Sequence, residues 1–314
     1  MNVTAQSNSS SNLTSSSTSN AASSTSSSDL DAKMQQLASS NDPKDIATVA
    51  YIWGYPLVTA QVTKDYFTNP NVPQGIGYGP SNEFHPARDL IKAGFKEVVR
   101  PNSDTLYHQA WLDLKNGPLI LQVPNIVDRY FVLPFLDAYG NQFKYIGTRT
   151  TGETGGTYIV VGPSWNGTLP ANLSDATTIQ SPTNVVWIIG RILVKGADDV
   201  QNVHDIQDKI TLTPVMQNAT STPGNGSIFP TADNIKKLGI DYFDILSNVL
   251  VNNPPPANQS NLVKKFETIG IGPGMIPSKD TTHQNTIEAL SVGISEGEKM
   301  IDAKFANLGT NVNG

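Results

Sequence analysis

The chain has 314 residues, a formal net charge of −6 and no cysteine. This length is enough for one large core or two ordinary ones, and the acidic balance argues against nucleic acid as a partner. The absence of cysteine excludes disulfides, thiol nucleophiles and thiolate metal sites. No apolar run approaches the roughly 20 residues of a membrane helix, so we predict no membrane span.

The first 28 residues, 1–28, form an uncharged tail that contains 13 serines and 4 threonines. Such a composition cannot bury enough apolar surface to offset its ordering entropy, so it predicts a tail without structure of its own. It has neither the basic nor the apolar region of a signal peptide. Because an extended Ser- and Thr-rich segment can add as a strand to a neighbour's sheet edge, we expect self-association.

Eight Asn-x-Ser/Thr sequons are acceptors for N-glycosylation in an exported protein. Single sequons also arise by chance in a chain rich in Asn and Ser. Their density, the tail and the absence of cysteine together favour an extracellular or cell-surface glycoprotein. The acceptor residues are Asn2, Asn8, Asn12, Asn166, Asn172, Asn218, Asn225 and Asn258.

Residues 29–95 are predicted to form a helical segment followed by a loop. Asp42 and Pro43 are typical of a helix start, and apolar residues then recur at the spacing of one helix face. Pro56 is expected to kink this helix. Residues 68–90 are rich in Pro, Gly and Asn, which predicts a surface loop.

Residues 96–196 are predicted to form a β-sandwich, because short apolar or alternating segments follow one another without an intervening helix. The glycine-rich segment 147–157 lacks the ending of a phosphate-binding loop, so we predict a hairpin there. The six predicted strands are 106–114, 118–124, 129–137, 143–148, 157–162 and 184–194.

Residues 197–314 are predicted to be helical and to complete a helical domain with the N-terminal segment. Helical patterns occupy 197–210, 231–251, 259–268 and 281–305. Neither helical part has a core of its own, so the two are expected to pack together. The predicted fold class is α+β: an immunoglobulin-like antiparallel β-sandwich flanked by a helical domain built from N- and C-terminal segments.

Polar residues at the ends of the predicted strands are candidates for a catalytic or small-molecule site, because loops at strand ends often carry function. Asn102 with Asp104, and Asp137, also fit turns in which an Asx side chain binds the backbone. An ion pair between Asp104 and Arg149 is a further alternative. The candidates are Asn102, Asp104, Tyr107, Asp137, Asn141 and Arg149.

The four histidines show no metal-ligand spacing, so we predict no metal site and no cofactor. His108 lies on the more apolar face of its predicted strand. We therefore expect it to be a core histidine with its hydrogen bonds satisfied.

Long motifs such as "RPNSDTLYHQAWLDL", "RYFVLPFLDAYGNQFKYIGT" and "NVVWIIGRILV" stand in the same order as in a known family. The chain resembles the domain-of-unknown-function 1254 family from about residue 40 to about residue 305. The resemblance implies the sandwich and its flanking helical domain, but it implies little chemistry, since the family's activity is undefined. Members commonly continue into a second β domain, domain-of-unknown-function 1214, and we expect no such domain in this sequence.

Two functions from different classes follow from these patterns. The first, which we favour, is an exported, glycosylated surface or filament subunit whose tail pairs with a neighbouring protomer. The second is an enzyme or small-molecule binder of undefined reaction that uses the six polar candidates. The sequence contains no catalytic motif that would support the second.

Overall fold

A computed structural model describes residues 26–92, 102–216, 223–279 and 284–307 of the chain. These residues form helices and two sheets, which confirms the α+β class. The helices are α1 (Ser27–Ser39), α2 (Pro43–Phe67), α3 (Val200–Gln207), α4 (Ala232–Lys236), α5 (Asp241–Leu250), α6 (Ser260–Glu267) and α7 (Gln284–Ala306). The strands are β1 (His85–Pro86), β2 (Thr105–Asp113), β3 (Leu119–Val123), β4 (Phe131–Asp137), β5 (Gln142–Gly147), β6 (Gly156–Val161), β7 (Thr177–Gln180), β8 (Val185–Leu193) and β9 (Thr211–Pro214).

Most of the predicted tail lies outside the described residues, and so do Asn2, Asn8, Asn12 and Asn218. The description begins at Ser26, whose side chain caps α1 by accepting a hydrogen bond from the backbone N–H of Asp29. Helix α2 starts at Pro43 as predicted, because the side chain of Asp42 accepts a hydrogen bond from the N–H of Lys44. It continues through Pro56.

The strands form two sheets. Sheet A has the order β1-β2-β8-β4-β5 and is antiparallel throughout. Sheet B has the order β7-β6-β3-β9, and its β6 and β7 are parallel. The prediction of a purely antiparallel arrangement is therefore wrong for β7, because the long connection 162–176 returns the chain in the direction of β6.

The two sheets share one hydrophobic cluster. Leu112, Phe135 and Val186 of sheet A meet Leu121 and Val160 of sheet B in it. Alternate residues of β2 point the opposite way, towards the helices, as the two-residue period of a strand requires. Sheet A is thus covered on both of its faces.

Helices from both ends of the chain pack on the outer face of sheet A. Tyr51 of α2, Leu246 of α5 and Leu290 of α7 belong to a second hydrophobic cluster. Trp111 and Trp187 of sheet A stack on each other at 4.7 Å between ring centroids and join this cluster. The N- and C-terminal helical segments therefore share one core.

Residues 197–214 pack with the sheets, although the sequence places them in the helical part. Val203 and Ile210 lie in the cluster between the sheets, and β9 pairs with β3. The prediction that all of 197–314 completes the helical domain is wrong for this segment. Its strand is four residues long, and pairing with the distant β3 rather than a local pattern makes it a strand.

The glycine-rich segment is not a hairpin, because β5 belongs to sheet A and β6 to sheet B. Residues 148–155 instead cross from one sheet to the other. A Cβ at Gly155 would lie 2.2 Å from the carbonyl oxygen of Val123. Glycine is needed there because the crossing chain passes directly against the backbone that follows β3.

Candidate functional site

Asn102, Asp104 and Tyr107 lie together at the start of β2 and build the predicted turn. The Asn102 Oδ1 accepts a hydrogen bond of 2.9 Å from the N–H of Asp104. The N–H of Asn102 donates to the Tyr107 hydroxyl at 2.9 Å, and the Arg191 guanidinium lies over the Tyr107 ring at 5.4 Å. These contacts fix the turn that begins the strand.

Asp137 and Asn141 lie in the turn between β4 and β5. The Asp137 Oδ1 accepts hydrogen bonds of 2.9 Å from the N–H groups of Tyr139 and Asn141. The Asn141 Nδ2 donates to the Asp137 Oδ2 at 3.2 Å. The carboxylate is thus engaged by its own turn, as the sequence predicts.

These two turns occupy opposite ends of sheet A. Asp137 pairs with Val186 of β8, while the carbonyl of Asp104 accepts from the N–H of Val194. The intervening stretch of strand spans about 27 Å at about 3.4 Å per residue. Because of this separation, the candidates do not form one site.

Arg149 lies over the ring of Tyr130 at 5.6 Å. Within the described part of the chain it makes no ion pair with Asp104, so the structure does not support that alternative. The segment 148–155 that carries Arg149 leaves sheet A for sheet B, which sequence spacing does not show.

The structure instead brings polar groups together where β1, β2 and β9 meet α3. We call this cavity, of about 250 Å³, the histidine pocket. Residues of β1, an edge strand of sheet A, and of β9, an edge strand of sheet B, contribute to its lining. It is lined by Glu83, Phe84, Pro86, Arg88, His108, Gln207, Asp208, Ile210, Thr211 and Leu212.

His108 is the most unusual group of this pocket. It is 1% exposed, its ring stacks on Phe84 at 4.1 Å, and neither ring nitrogen makes a hydrogen bond. Burial lowers the pKa of His108 to about 3, with a smaller contribution from the Arg88 guanidinium. The imidazole is therefore neutral, and neither nitrogen has a partner at ordinary hydrogen-bond geometry, although the Ile210 backbone is near enough to oppose the lowering of the pKa weakly. It is a core histidine as predicted, but its hydrogen bonds are not satisfied.

Two sets of contacts fix the backbone around His108. Gly190 lies opposite it on β8, and a Cβ there would come within 2.5 Å of the His108 carbonyl oxygen. Gln207 of α3 donates hydrogen bonds of 3.1 Å to the carbonyls of Ala87 and Tyr107. Helix α3 is thereby fixed across β1 and β2.

We expect the stability of this protein to fall as the pH drops below the ordinary His pKa of 6.5. The unfolded chain binds a proton at His108 below 6.5, while the folded chain resists it down to about 3. Between these values the free energy of unfolding should fall by about 1.4 kcal/mol per pH unit from this group. Urea unfolding across this range measures it.

His108→Phe is the matched variant for that experiment, because phenylalanine keeps the ring and removes both nitrogens. Its unfolding free energy should lose this part of the pH dependence. At neutral pH it should equal or exceed that of the original protein, since no partner is left unpaired. Parallel pH curves for the two proteins would contradict the burial of a neutral histidine.

Sequence reasoning missed the histidine pocket although its residues are chemically distinctive. His204 accompanies His85 and His108 at this corner: its Nε2 lies 2.7 Å from the carbonyl oxygen of Arg88. Arg88 in turn pairs with Asp208 of α3. The opposite charges of Arg88 and Asp208 were the only signal of this pocket in the sequence. They were not sufficient, because the sequence does not show that these two distant segments are in contact.

Within the described ranges, no three His, Asp or Glu side chains are placed to hold a metal ion. The same ranges contain no helix that is both long and apolar enough to cross a membrane. His108 adds a neutral hydrogen-bonding group to the histidine pocket, beside the charged side chains of its lining.

The structure is similar to a crystal structure of the VPA0106 protein from Vibrio parahaemolyticus, with a TM-score of 0.63 and 22% sequence identity. The likeness covers 83% of this chain and 59% of that one. At this identity it shows a shared fold alone. The chain thus aligns with little more than half the length of that protein. A search of curated proteins gave no match.

A family model described as "Protein of unknown function (DUF1254)" matches residues 81–214. This stretch begins just before β1 and ends with β9, so it includes both sheets and α3. It is shorter than the region over which the motifs resemble the family. Residues 81–214 of this chain therefore match the domain-of-unknown-function 1254 family model, as the motifs predict.

Proposed function

We propose that this protein is an exported, N-glycosylated subunit of a cell-surface or extracellular filament. Its N-terminal tail pairs as a strand with the sheet edge of a neighbouring protomer. The observation that carries the proposal is the open edge of sheet A at β5, in a chain that has a long uncharged tail.

The β5 edge offers backbone groups for another strand. The N–H of Thr148 donates to the carbonyl of Phe131, so by alternation the backbone groups of Tyr145 point away from β4. A register shift leaves Phe143 without a partner on β4. Thr150 Oγ1 donates to the carbonyl of Tyr145, which leaves the N–H of Tyr145 as the open donor of this edge. No strand of the described residues pairs on this side.

The other edges are shorter. Strand β1 has two residues, and β7 and β9 have four each, whereas β5 has six. Strand β9 also ends in Pro214, which has no N–H to donate. The edge at β5 is therefore the best acceptor for a β-strand from a second copy.

The tail suits this role by length and composition. The part that precedes Ser26 can extend about 80 Å at about 3.3 Å per residue. A compact domain of this size has a radius of gyration of about 20 Å, so the tail can reach a neighbouring molecule. Because residues 1–25 carry no charged side chain, pairing would not require desolvating a charge.

The sequons support the export part of the proposal. The four acceptors within the described residues, Asn166, Asn172, Asn225 and Asn258, are all exposed. Each lies in a loop or a short 3-10 turn, where an attached glycan meets no packed neighbour. Intact mass before and after enzymatic deglycosylation of native material tests this part, and an unchanged mass would oppose it.

We also propose that the two sheets form an immunoglobulin-like sandwich. It is supported by the two sheets, of five and four strands, and by their shared hydrophobic cluster. Two stacked sheets would give each protomer defined edges for assembly.

Deleting residues 1–25 is expected to abolish assembly and leave a folded monomer. The deletion should end before Ser26, because this residue caps α1. Electron microscopy and light scattering measure assembly, and circular dichroism measures folding. A shortened protein that still forms normal filaments would overturn the proposal.

A tail of full length provides the matched control. Gln6→Pro with Ala21→Pro keeps length, charge and every sequon but removes two backbone donors, so assembly should weaken strongly. Gln6→Val with Ala21→Val keeps those donors and should assemble normally. Equal assembly by both pairs would show that the tail does not act as a strand.

Small-molecule binding is the second candidate function, and the unpartnered nitrogens of His108 in the histidine pocket favour it. The ligand would be a small neutral molecule that both donates and accepts a hydrogen bond. The His108→Phe protein is again the test. Any such ligand found by NMR must lose its binding in this variant, or the pocket is not the site.

A further inference from the structure

Lys64 of α2 is a largely buried lysine that lines a polar cavity. The residue is 6% exposed, and its Nζ makes neither a hydrogen bond nor an ion pair within the described part of the chain. Its backbone carbonyl only completes the end of α2 by accepting from Thr68. The neighbouring Asp65 carboxylate opposes its charge. No side chain of the described residues accepts a hydrogen bond from the Lys64 Nζ, so its N–H donors are open to a ligand.

The Lys64 side chain lines a polar cavity of about 190 Å³ between the helices and sheet A. We call this cavity the junction pocket. Four elements meet there: α2, the ends of β2 and α5, and the start of β8. The lining residues that the argument uses are Gln61, Lys64, Asp113, Lys115, Asn248 and Asn252.

The charged groups of the junction pocket do not balance. Lys64 and Lys115 contribute two positive charges and Asp113 one negative charge, which leaves a net charge of +1. The Asp113 Oδ1 accepts a hydrogen bond from the backbone N–H of Lys115 at 3.2 Å. Asp113 forms no ion pair with Lys64.

The nearby amides do not supply the missing acceptor. The Gln61 Nε2 donates to Asp65 at 2.8 Å, one turn further along α2. The Asn252 carbonyl is taken by the Asn184 Nδ2 at 2.6 Å. The side chains of Asn248 and Asn252 make no hydrogen bond within the described residues, so their amide N–H groups remain available as donors.

We propose that the junction pocket binds a small singly charged oxyanion of the carboxylate class, with the Lys64 Nζ as its central contact. The cavity holds a group of this size, and one negative charge cancels the net charge of the lining. The Asp113 carboxylate disfavours a doubly charged phosphate. The ligand would hydrogen-bond to groups of both α2 and α5 where they meet sheet A.

Fluorine NMR of trifluoroacetate with the full chain tests the proposal. The resonance should broaden or shift with the original protein. In Lys64→Met the affinity should fall by about tenfold or more, as expected for the loss of a charge-assisted hydrogen bond. Lys264→Met, which changes an exposed lysine in the same way, should bind as the original protein does.

Asp113→Asn gives a second, opposite readout that does not depend on Lys64→Met being well folded. Removing the negative charge should tighten trifluoroacetate binding. Inorganic phosphate should bind more weakly than the carboxylate to the original protein and gain more from Asp113→Asn.

A thermal measurement separates binding from a purely structural role of Lys64. Sodium acetate should raise the unfolding temperature of the original protein above that in sodium chloride of equal ionic strength, and it should not do so for Lys64→Met. No carboxylate binding by the original protein, equal binding by Lys64→Met, or weaker binding by Asp113→Asn would each overturn the proposal.

Discussion

Replacing Arg129 with methionine is expected to lower the free energy of unfolding by about 1.5–3 kcal/mol, because it removes charge-assisted hydrogen bonds from a partly buried carboxylate. The Arg129 Nη2 donates to the Asp199 Oδ1 at 2.7 Å, and the two side chains are 9% and 14% exposed. Arg129 also donates to the carbonyl of Leu193, so it ties the start of β4 to the end of β8 and to the turn before α3.

The same pair sets a dependence on acid pH. Arg129 holds the pKa of Asp199 well below its usual range, helped by the N–H of Lys195 and the amide of Asn202. A carboxyl group with a depressed folded pKa stabilises the protein above its unfolded pKa of about 3.9. That contribution is lost as the pH falls below about 4 towards the folded pKa. In Arg129→Met the dependence should weaken, because the main cause of the shift is gone.

Arg88→Met is the matched control. Arg88 also forms an ion pair, with Asp208, but these side chains are 43% and 58% exposed. Solvent screens such pairs, so about 0–1 kcal/mol is expected. Urea unfolding of the three proteins between pH 7 and pH 3 measures both effects. Equal losses in the two variants would contradict the special role of burial at Asp199.

Local patterns were sufficient to predict most strands. The six predicted strands all occur, within two residues of their predicted bounds, because each has an alternating or apolar pattern of its own. The strands β1, β7 and β9 were not predicted, since they have two to four residues and depend on distant partners. The crossing of the chain from sheet A to sheet B after β5 was also not predicted, because a glycine-rich segment fits a hairpin and a crossing connection equally well.

The difference between local and long-range contacts also explains which polar residues could be predicted. The side-chain hydrogen bonds that Asn102 and Asp137 accept join residues two to four positions apart, and both turns were predicted from their sequence. The histidine pocket combines β1, β2, β9 and α3, and the junction pocket combines α2, α5, β2 and β8. The spacing of residues in the sequence does not show that these strands and helices lie side by side. These contacts depend on the order of strands in the sheets and on the helices packed beside them.

Replacing Gly293 with leucine is expected to destabilise the protein by about 1–3 kcal/mol or more, through overpacking between α2 and α7. A Cβ at Gly293 would lie 2.5 Å from the Ala47 Cβ and 2.6 Å from the Ala47 carbonyl carbon. Because the second of these is a backbone atom, a change of side-chain rotamer cannot relieve the clash. The two helices must move apart.

Gly293→Ala tests whether the clash with Ala47 or the gain in helix propensity has the larger effect on stability. On an exposed helix, replacing glycine with alanine gains about 1 kcal/mol of helix propensity. Here the clash with Ala47 should outweigh that gain, and the unfolding free energy should fall. Ser295→Ala, at an exposed position of the same helix, should stay within about 0.5 kcal/mol of the original protein. A more stable Gly293→Ala protein would show that the contact is looser than the structure indicates.

Hydrogen exchange can locate the damage. Helices α2 and α7 come from opposite ends of the chain, and their packing joins the two helical segments. The cluster between the sheets contains no residue of either helix. In Gly293→Leu, backbone amides of α2 and α7 should therefore lose protection before those of β3 and β8. Simultaneous loss in all four elements would instead mean that sheets and helices unfold as one cooperative unit.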